Sequence, residues 1–152
     1  MPETNPDSES PFLADQASAD GSADGLPDDV SLAFGADGVG EALRHASEKQ
    51  LNAADFGIIQ VDDEGMVAFF NRYESELSGV DPSDAEGSNF FTEVAPCTNN
   101  RLFRGRFKKG VRRGDLDETF TYTYTYKMRP TLVEVHLYRD EASNNWIMVE
   151  KY

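Results

Sequence analysis

The strongest pattern along the chain is a strict alternation of large and small side chains in its C-terminal third. Between residues 119 and 128, aromatic residues and one methionine occupy the even positions, while threonines occupy most of the odd positions. A period of two places alternate residues on opposite faces of a β-strand, so the large groups share one face. The large residues on that face are Phe120, Tyr122, Tyr124, Tyr126 and Met128.

The first half of the chain contains a second group of strand-like segments. Apolar runs at 55–62 and 65–70 are joined by turn residues, which predicts a β-hairpin. Asn71 is a residue type that favours the N-cap of a helix and predicts a short helix after the hairpin. Gly79 and Pro82 are expected to end that helix.

Two further segments, 40–54 and 101–113, show the apolar spacing of helices. The first predicts a small cap packed on the main body. The second contains seven of the fourteen Lys and Arg residues, but interleaved phenylalanines at this spacing favour core contacts over a nucleic-acid surface. The predicted apolar stripes are Leu43, Ala46, Leu51 and Ala54 in the first segment and Leu102, Phe103, Phe107 and Val111 in the second.

The order of the predicted elements indicates the fold class. A hairpin and short helices come first, one longer helix follows, and strands at 117–128, 131–139 and 145–152 end the chain. This order is typical of an α+β domain, in which helices cover one face of a five-stranded antiparallel sheet. We therefore expect a pocket between the sheet and the helices.

Charge is distributed unevenly along the chain. Residues 1–30 contain eight Asp and Glu and no Lys or Arg, whereas residues 31–152 contain twenty Asp and Glu against fourteen Lys and Arg. The first segment also has too few apolar side chains to offset chain entropy, which predicts a disordered acidic tail. Residues 31–152 are expected to form one domain, with 31–54 as its N-terminal cap.

The acidic composition argues against general binding to nucleic acid or to anionic lipid, because the long-range field repels both. No apolar run is long enough to span a membrane, and no signal-peptide pattern opens the chain. We therefore expect a cytoplasmic protein that binds neither nucleic acid nor a membrane. High acidity is also typical of proteins from salt-adapted organisms.

Cys97 is the only cysteine in the chain. It cannot form an internal disulfide, and no Cys and His spacing suited to a metal surrounds it. Its residue type leaves two interpretations open, a buried packing residue or a reactive thiol. A cysteine enzyme is a weaker alternative, since neither His45 nor His136 has an evident partner near Cys97 in the sequence.

Several motifs carry a specific resemblance. They are F-G-I-I-Q-V-D at 56–62, F-N-R-Y-E at 70–74, G-S-N-F-F-T-E-V-A-P-C-T at 87–98 and Y-T-Y-T-Y-K-M-R-P-T at 122–131. With them, the chain from residue 31 onward resembles the photoactive yellow protein (xanthopsin) family of PAS sensor domains. The resemblance implies a PAS-like sheet with flanking helices and a receptor, not an enzyme.

The resemblance also implies a cofactor and a mechanism. The cofactor would be p-coumaric acid (4-hydroxycinnamic acid), held as a covalent thioester on Cys97, with Glu74 as the buried acid that donates a hydrogen bond to its phenolate. Blue light would convert the trans double bond to cis, and Glu74 would then pass its proton to the phenolate. The charge left on Glu74 would loosen the cap and produce a signalling state.

The chain departs from the family at two pocket positions. Phe70 replaces the family's pocket tyrosine, with Ser78 in place of the threonine behind it, and Val80 replaces an arginine that often covers the chromophore. Loss of one hydrogen bond to the phenolate would raise the phenol pKa by roughly one to two units and predicts a red-shifted or two-component absorption. The remaining expected pocket residues are Phe90, Val94, Ala95, Pro96, Thr98, Tyr124, Tyr126 and Met128.

A second interpretation remains open at this point. The domain could be a PAS sensor or interaction module with a non-covalent ligand or a protein partner, in which Cys97 stays unmodified. In either case, we expect a monomer that acts on a downstream signalling protein, whose identity the sequence does not reveal. A covalent adduct on Cys97 would separate the two interpretations.

Overall fold

A single antiparallel sheet forms the centre of the computed structural model, which describes residues 25–27, 30–125 and 129–152. Its strands are β1 (Gly57–Val61), β2 (Val67–Phe70), β3 (Asp117–Tyr124), β4 (Thr131–Arg139) and β5 (Asn145–Lys151). Hydrogen bonds join them in the order β2-β1-β5-β4-β3. The predicted α+β class, the five-stranded antiparallel sheet and the N-terminal hairpin are confirmed.

Short helices surround the sheet. They are α1 (Val39–Leu43), α2 (Glu48–Ala53), α3 (Arg72–Ser78), α4 (Pro82–Ala85) and α5 (Arg104–Arg113), with a π-helical turn (Phe90–Val94) and a 3₁₀ turn (Pro96–Thr98). The segment 40–54 contains two helices because Ser47 and Gln50 form a capping box that starts α2. Among the described residues, no helix is long and apolar enough to cross a membrane.

The two faces of the sheet pack against different layers. Neighbouring residues of β1 point to opposite faces of the sheet. Ile58 packs with the cap on one face, and Ile59 packs in the larger core on the other. Leu43 and Leu51 bring α1 and α2 onto the first face, whereas Phe107 of α5 packs in the larger core. The prediction placed helices over one face; the structure adds the cap on the opposite face.

The apolar stripe predicted for residues 101–113 is only partly correct. Phe103 and Phe107 are buried, but Leu102 has 63% of its surface exposed. The helix begins at Arg104, so Leu102 lies in the turn before it and does not follow the helical spacing. This prediction for Leu102 was wrong because the spacing was extended across a turn.

Some predictions fall on residues that the structure does not describe. The strand predicted for 117–128 ends at Tyr124, and Tyr126 and Met128 lie outside the described residues. Most of the predicted tail, 1–30, also lies outside them. At its end, the backbone carbonyl of Pro27 accepts a 2.9 Å hydrogen bond from Gln50 Nε2 of the cap.

Candidate functional site

Glu74 lies on α3 and points into the core. Asn71 Oδ1 accepts hydrogen bonds from the backbone N–H of Glu74 at 3.0 Å and of Ile58 at 2.9 Å, so the start of α3 is fixed to β1. The Glu74 side chain is only 1% exposed. Its Oε1 lies against Gly57, where a Cβ atom would collide with it. The glycine in β1 therefore makes the space that the carboxyl occupies.

The Glu74 carboxyl is mostly uncharged at neutral pH. Burial raises the pKa of Glu74 from 4.5 to about 8, against a smaller lowering effect of the Tyr124 hydroxyl. Within the described residues, Glu74 Oε1 is buried without a hydrogen-bond partner. A protonated acid in this state can donate a strong, charge-assisted hydrogen bond to an anionic oxygen.

Tyr124 ends β3 and is buried on the face of the sheet that packs in the larger core. Its hydroxyl is also buried without a hydrogen-bond partner among the described residues. Burial raises the pKa of Tyr124 well above its usual value, and a negative charge on Glu74 or Cys97, when present, would raise it further. These influences place the hydroxyl in the same interior region as the acid and the cysteine.

Cys97 occupies the 3₁₀ turn and packs against the larger core. Its side chain is half-buried and its thiol is free. The Tyr122 hydroxyl donates a 2.5 Å hydrogen bond to the Cys97 carbonyl oxygen, and Asn100 Nδ2 donates to the same oxygen at 3.2 Å. The backbone at the cysteine is therefore held from the sheet and from the following turn, which leaves the thiol on the core side.

The two positions that depart from the family have defined surroundings. Phe70 is buried in the larger core, 1% exposed, and Val80 packs against it. The Ser78 hydroxyl donates a 2.7 Å hydrogen bond to the Glu74 carbonyl oxygen and accepts one from the Val80 N–H at 3.3 Å. Ser78 is therefore engaged within its own helix and turn, and its hydroxyl does not replace the one that Phe70 lacks.

The segment before the cysteine forms the wall between the core and the turn. Asn89 Oδ1 accepts hydrogen bonds from the N–H groups of Phe91 and Thr92, which starts the π-helical turn. Thr98 Oγ1 donates to the Ala95 carbonyl oxygen at 2.7 Å and is buried. The predicted pocket residues in this wall are Phe90, Val94, Ala95, Pro96 and Thr98, of which Pro96 alone is not fully buried.

Sequence reasoning missed two residues that shape the site and a second role of a third. Gly57 provides room for the carboxyl, and Asn100 holds both the Cys97 carbonyl and the Tyr122 hydroxyl. Asn71 was predicted as a helix cap, which is correct, but Asn71 Nδ2 also donates to the carbonyl oxygens of Leu51 at 2.8 Å and Phe56 at 3.0 Å. A glycine inside an apolar strand run was a signal that could have identified the first.

The arrangement fits an aromatic group that carries a phenolate oxygen. Two buried polar atoms, Glu74 Oε1 and Tyr124 Oη, lack hydrogen-bond partners among the described residues, and an anionic oxygen within reach of both would satisfy them. Cys97 offers a thiol at the edge of the same region. Most of the other described residues around the site are apolar, which favours an aromatic ring.

Comparisons with known proteins show the family to which the chain belongs. The family model described as PAS fold matches residues 47–149. A protein named photoactive yellow protein from Rhodothalassium salexigens is 40% identical over 79% of this chain and 97% of its own length. A second, from Halochromatium salexigens, is 41% identical over 78% of this chain and 95% of its own length.

A solved structure is similar as well. It is the photoactive yellow protein domain of the sensor histidine kinase Ppr from Rhodospirillum centenum, which is 42% identical, with a TM-score of 0.66. The match covers 69% of this chain and 93% of that domain. These relatives are similar over nearly their whole lengths, and they support a sensory photoreceptor domain. The chain therefore belongs to the photoactive yellow protein family of PAS-fold proteins.

Proposed function

We propose that this protein is a blue-light photoreceptor that carries p-coumaric acid as a thioester on Cys97. One observation carries the proposal: a buried, unpaired and protonated acid, Glu74, shares an apolar interior with the only cysteine. Burying a phenolate without partners costs several kcal/mol or more, so a pocket for it needs a donor of this kind. The family membership supports the same assignment.

Attachment needs an activated p-coumaroyl donor, such as another thioester or an anhydride. The Cys97 thiolate attacks the carbonyl carbon, the S–C bond forms, and the leaving group departs with the electron pair of the bond that breaks. The cysteine proton goes to solvent or to the leaving group. Hydrogen bonds from Tyr122 and Asn100 hold the Cys97 carbonyl oxygen while the side chain reacts.

When bound, the chromophore supplies a double bond that blue light converts from trans to cis. Glu74 would hold the phenolate oxygen through a hydrogen bond before light and would donate its proton to that oxygen afterwards. The Glu74 carboxylate is then charged at a position that is 1% exposed. An uncompensated buried charge destabilises its surroundings by several kcal/mol, comparable with the stability of a local structural unit.

Asn71 connects this charge to the cap. The same side chain accepts from the Glu74 N–H and donates to the carbonyl oxygens of Leu51, in α2, and Phe56. A movement of α3 that relieves the Glu74 charge therefore breaks hydrogen bonds that hold the cap. The exposed sheet face and the loosened cap would form the surface for a downstream signalling protein, and one relative is part of a sensor histidine kinase.

Reconstitution tests the proposal directly. The purified protein is mixed with p-coumaric anhydride, and its intact mass and visible spectrum are recorded before and after blue light. We expect one covalent adduct and an absorption band that bleaches and recovers. Cys97→Ala should be folded and colourless, because it lacks the attachment atom. An unmodified Cys97, or colour in the variant, would overturn the covalent assignment and favour a non-covalent ligand or a protein partner.

A further inference from the structure

Position 70 leaves an open question about the phenolate. Phe70 has no hydroxyl, so the second donor to the phenolate oxygen must come from elsewhere if the pocket has one. Among the residues that the structure describes, three other hydroxyls border the site, and each already has a partner. They belong to Ser78, which donates to the Glu74 carbonyl oxygen, to Tyr122, which donates to the Cys97 carbonyl oxygen, and to Thr98, which donates to the Ala95 carbonyl oxygen.

Tyr124 is different from these residues. Glu74 Oε1 and Tyr124 Oη are the two buried side-chain polar atoms that lack a partner in the described part of the chain. Leaving such a group unsatisfied is unfavourable, and the few cases in native proteins usually mark a functional site or a bound molecule. The two groups come from different elements, Glu74 from α3 and Tyr124 from the end of β3, and they lie close enough for each to shift the pKa of the other.

Few titratable groups in the described part of the chain lie around Glu74 and Tyr124. Within the described ranges, the titratable groups that influence Tyr124 are Glu74 of α3, Tyr122 of β3 and Cys97 of the 3₁₀ turn. The Tyr122 hydroxyl is engaged with the Cys97 carbonyl oxygen, and the Cys97 thiol would be consumed by the thioester. The adjacent β1 contributes Gly57, which has no side chain. Burial raises the pKa of Tyr124 well above its usual value, so its hydroxyl keeps its proton and can act as a donor.

We propose that the Tyr124 hydroxyl donates the second hydrogen bond to the phenolate oxygen of the chromophore, beside the one from the Glu74 carboxyl. Glu74 and Tyr124 together form a two-donor cradle, and Tyr124 takes over the function of the hydroxyl that Phe70 lacks. The inference rests on the proposed function, because it needs the chromophore in the pocket.

The proposal has two consequences. The phenol pKa stays low, so the rise expected from Phe70 alone does not occur and a single absorption band results. The cradle also selects ligands: cinnamic acid, which has no phenol oxygen, would leave both donors unsatisfied. We therefore expect the site to load p-coumarate in strong preference to cinnamate when both are offered as anhydrides in competition.

The decisive measurement is the phenol pKa in reconstituted Tyr124→Phe, obtained by titrating the visible absorption with pH. A hydrogen bond to a charged acceptor is worth about a ten- to hundredfold change in the ionisation constant, so the phenol pKa should rise by about one to two units. Tyr122→Phe is the matched control on the same strand. Its hydroxyl binds the Cys97 carbonyl oxygen, so the phenol pKa should stay within about half a unit.

A second variant keeps the test decisive if Tyr124→Phe does not fold. Phe70→Tyr adds a hydroxyl where the family has one. If Tyr124 already donates, the phenol pKa should change by less than about half a unit; if the second donor is missing, it should fall by about one unit or more. That fall would overturn the proposal, as would an unchanged phenol pKa in Tyr124→Phe.

The stability of the apoprotein, which carries no chromophore, gives an independent test. In the apoprotein, Tyr124→Phe removes a buried hydroxyl that has no partner, so its unfolding midpoint should equal or exceed that of the wild type. A clear loss of stability would show that the hydroxyl is bonded within the protein and would contradict the cradle. If the wild type takes up no p-coumarate at all, the proposed function fails, which differs from a coloured protein with an unchanged phenol pKa.

Discussion

The protonated state of Glu74 predicts an unusual pH dependence of stability. Its pKa is raised from 4.5 to about 8 in the folded apoprotein, so the folded state binds a proton that the unfolded state has released over that range. The stability that this group contributes is fully present below its unfolded pKa and is lost as pH rises through the folded value. Most acids in proteins have the opposite sign.

The size of the effect follows from the shift. Each unit of pKa difference is worth about 1.4 kcal/mol, so the full shift corresponds to about 5 kcal/mol, and about 3 to 4 kcal/mol of it falls between pH 5 and pH 8. A domain of this size is stable by only about 5 to 15 kcal/mol. The buried acid therefore removes a large share of the stability of the apoprotein as the solution becomes alkaline.

Glu74→Gln tests this reasoning because it keeps the shape of the side chain and removes the titration. The free energy of unfolding is measured by denaturant titration of both apoproteins at several values between about pH 5 and pH 8. The wild type should lose about 3 to 4 kcal/mol relative to the variant across this range. Asp63 and Asp140, whose pKa values are lowered, are present in both proteins, so their contributions cancel. Parallel curves for the two proteins would show that Glu74 is ionised or hydrated in the fold and would refute the argument.

Two further substitutions test how the site is built. Gly57→Ala places a methyl group where the Glu74 carboxyl lies and should destabilise the apoprotein by about 1 to 3 kcal/mol by thermal unfolding, whereas Gly105→Ala, within α5, should be neutral or stabilising. Equal effects of the two would contradict the close packing. Asn71→Ala removes four buried hydrogen bonds and should cost about 2 to 4 kcal/mol and speed hydrogen exchange in the cap; Asn52→Ala, with one exposed bond, should cost about 1 kcal/mol or less. If hydrogen exchange in the cap stays as slow in Asn71→Ala as in the wild type, Asn71 does not couple α3 to the cap.

Local patterns allowed the sheet and the start of α3 to be predicted from the sequence. The alternation that leads up to Tyr124 predicts strand β3, because neighbouring side chains on a strand point to opposite faces. Asn71 likewise predicts the start of a helix, because its side-chain oxygen can accept a hydrogen bond from the N–H three positions later. Both signals are contained in a few consecutive residues, so no tertiary information was needed.

Features that depend on distant contacts were not predictable in this way. Tyr122 and Tyr124 are the same residue type on the same face, yet the first hydroxyl reaches the Cys97 carbonyl oxygen and the second has no partner. Only the position of the 3₁₀ turn decides between them. Leu102 was misplaced for a similar reason, since the start of α5 depends on the turn that precedes it and not on the apolar spacing.

The cap is the part of the fold most sensitive to a charge on Glu74. Its helices, α1 with five residues and α2 with six, are too short to be stable alone, so they depend on packing against the sheet and on hydrogen bonds from other elements. Asn71 provides such bonds and is fixed by the same α3 backbone that carries Glu74. The sheet, by contrast, is held by a continuous ladder of backbone hydrogen bonds from β2 to β3. We therefore expect a destabilisation of a few kcal/mol at α3 to open the cap while the sheet stays folded.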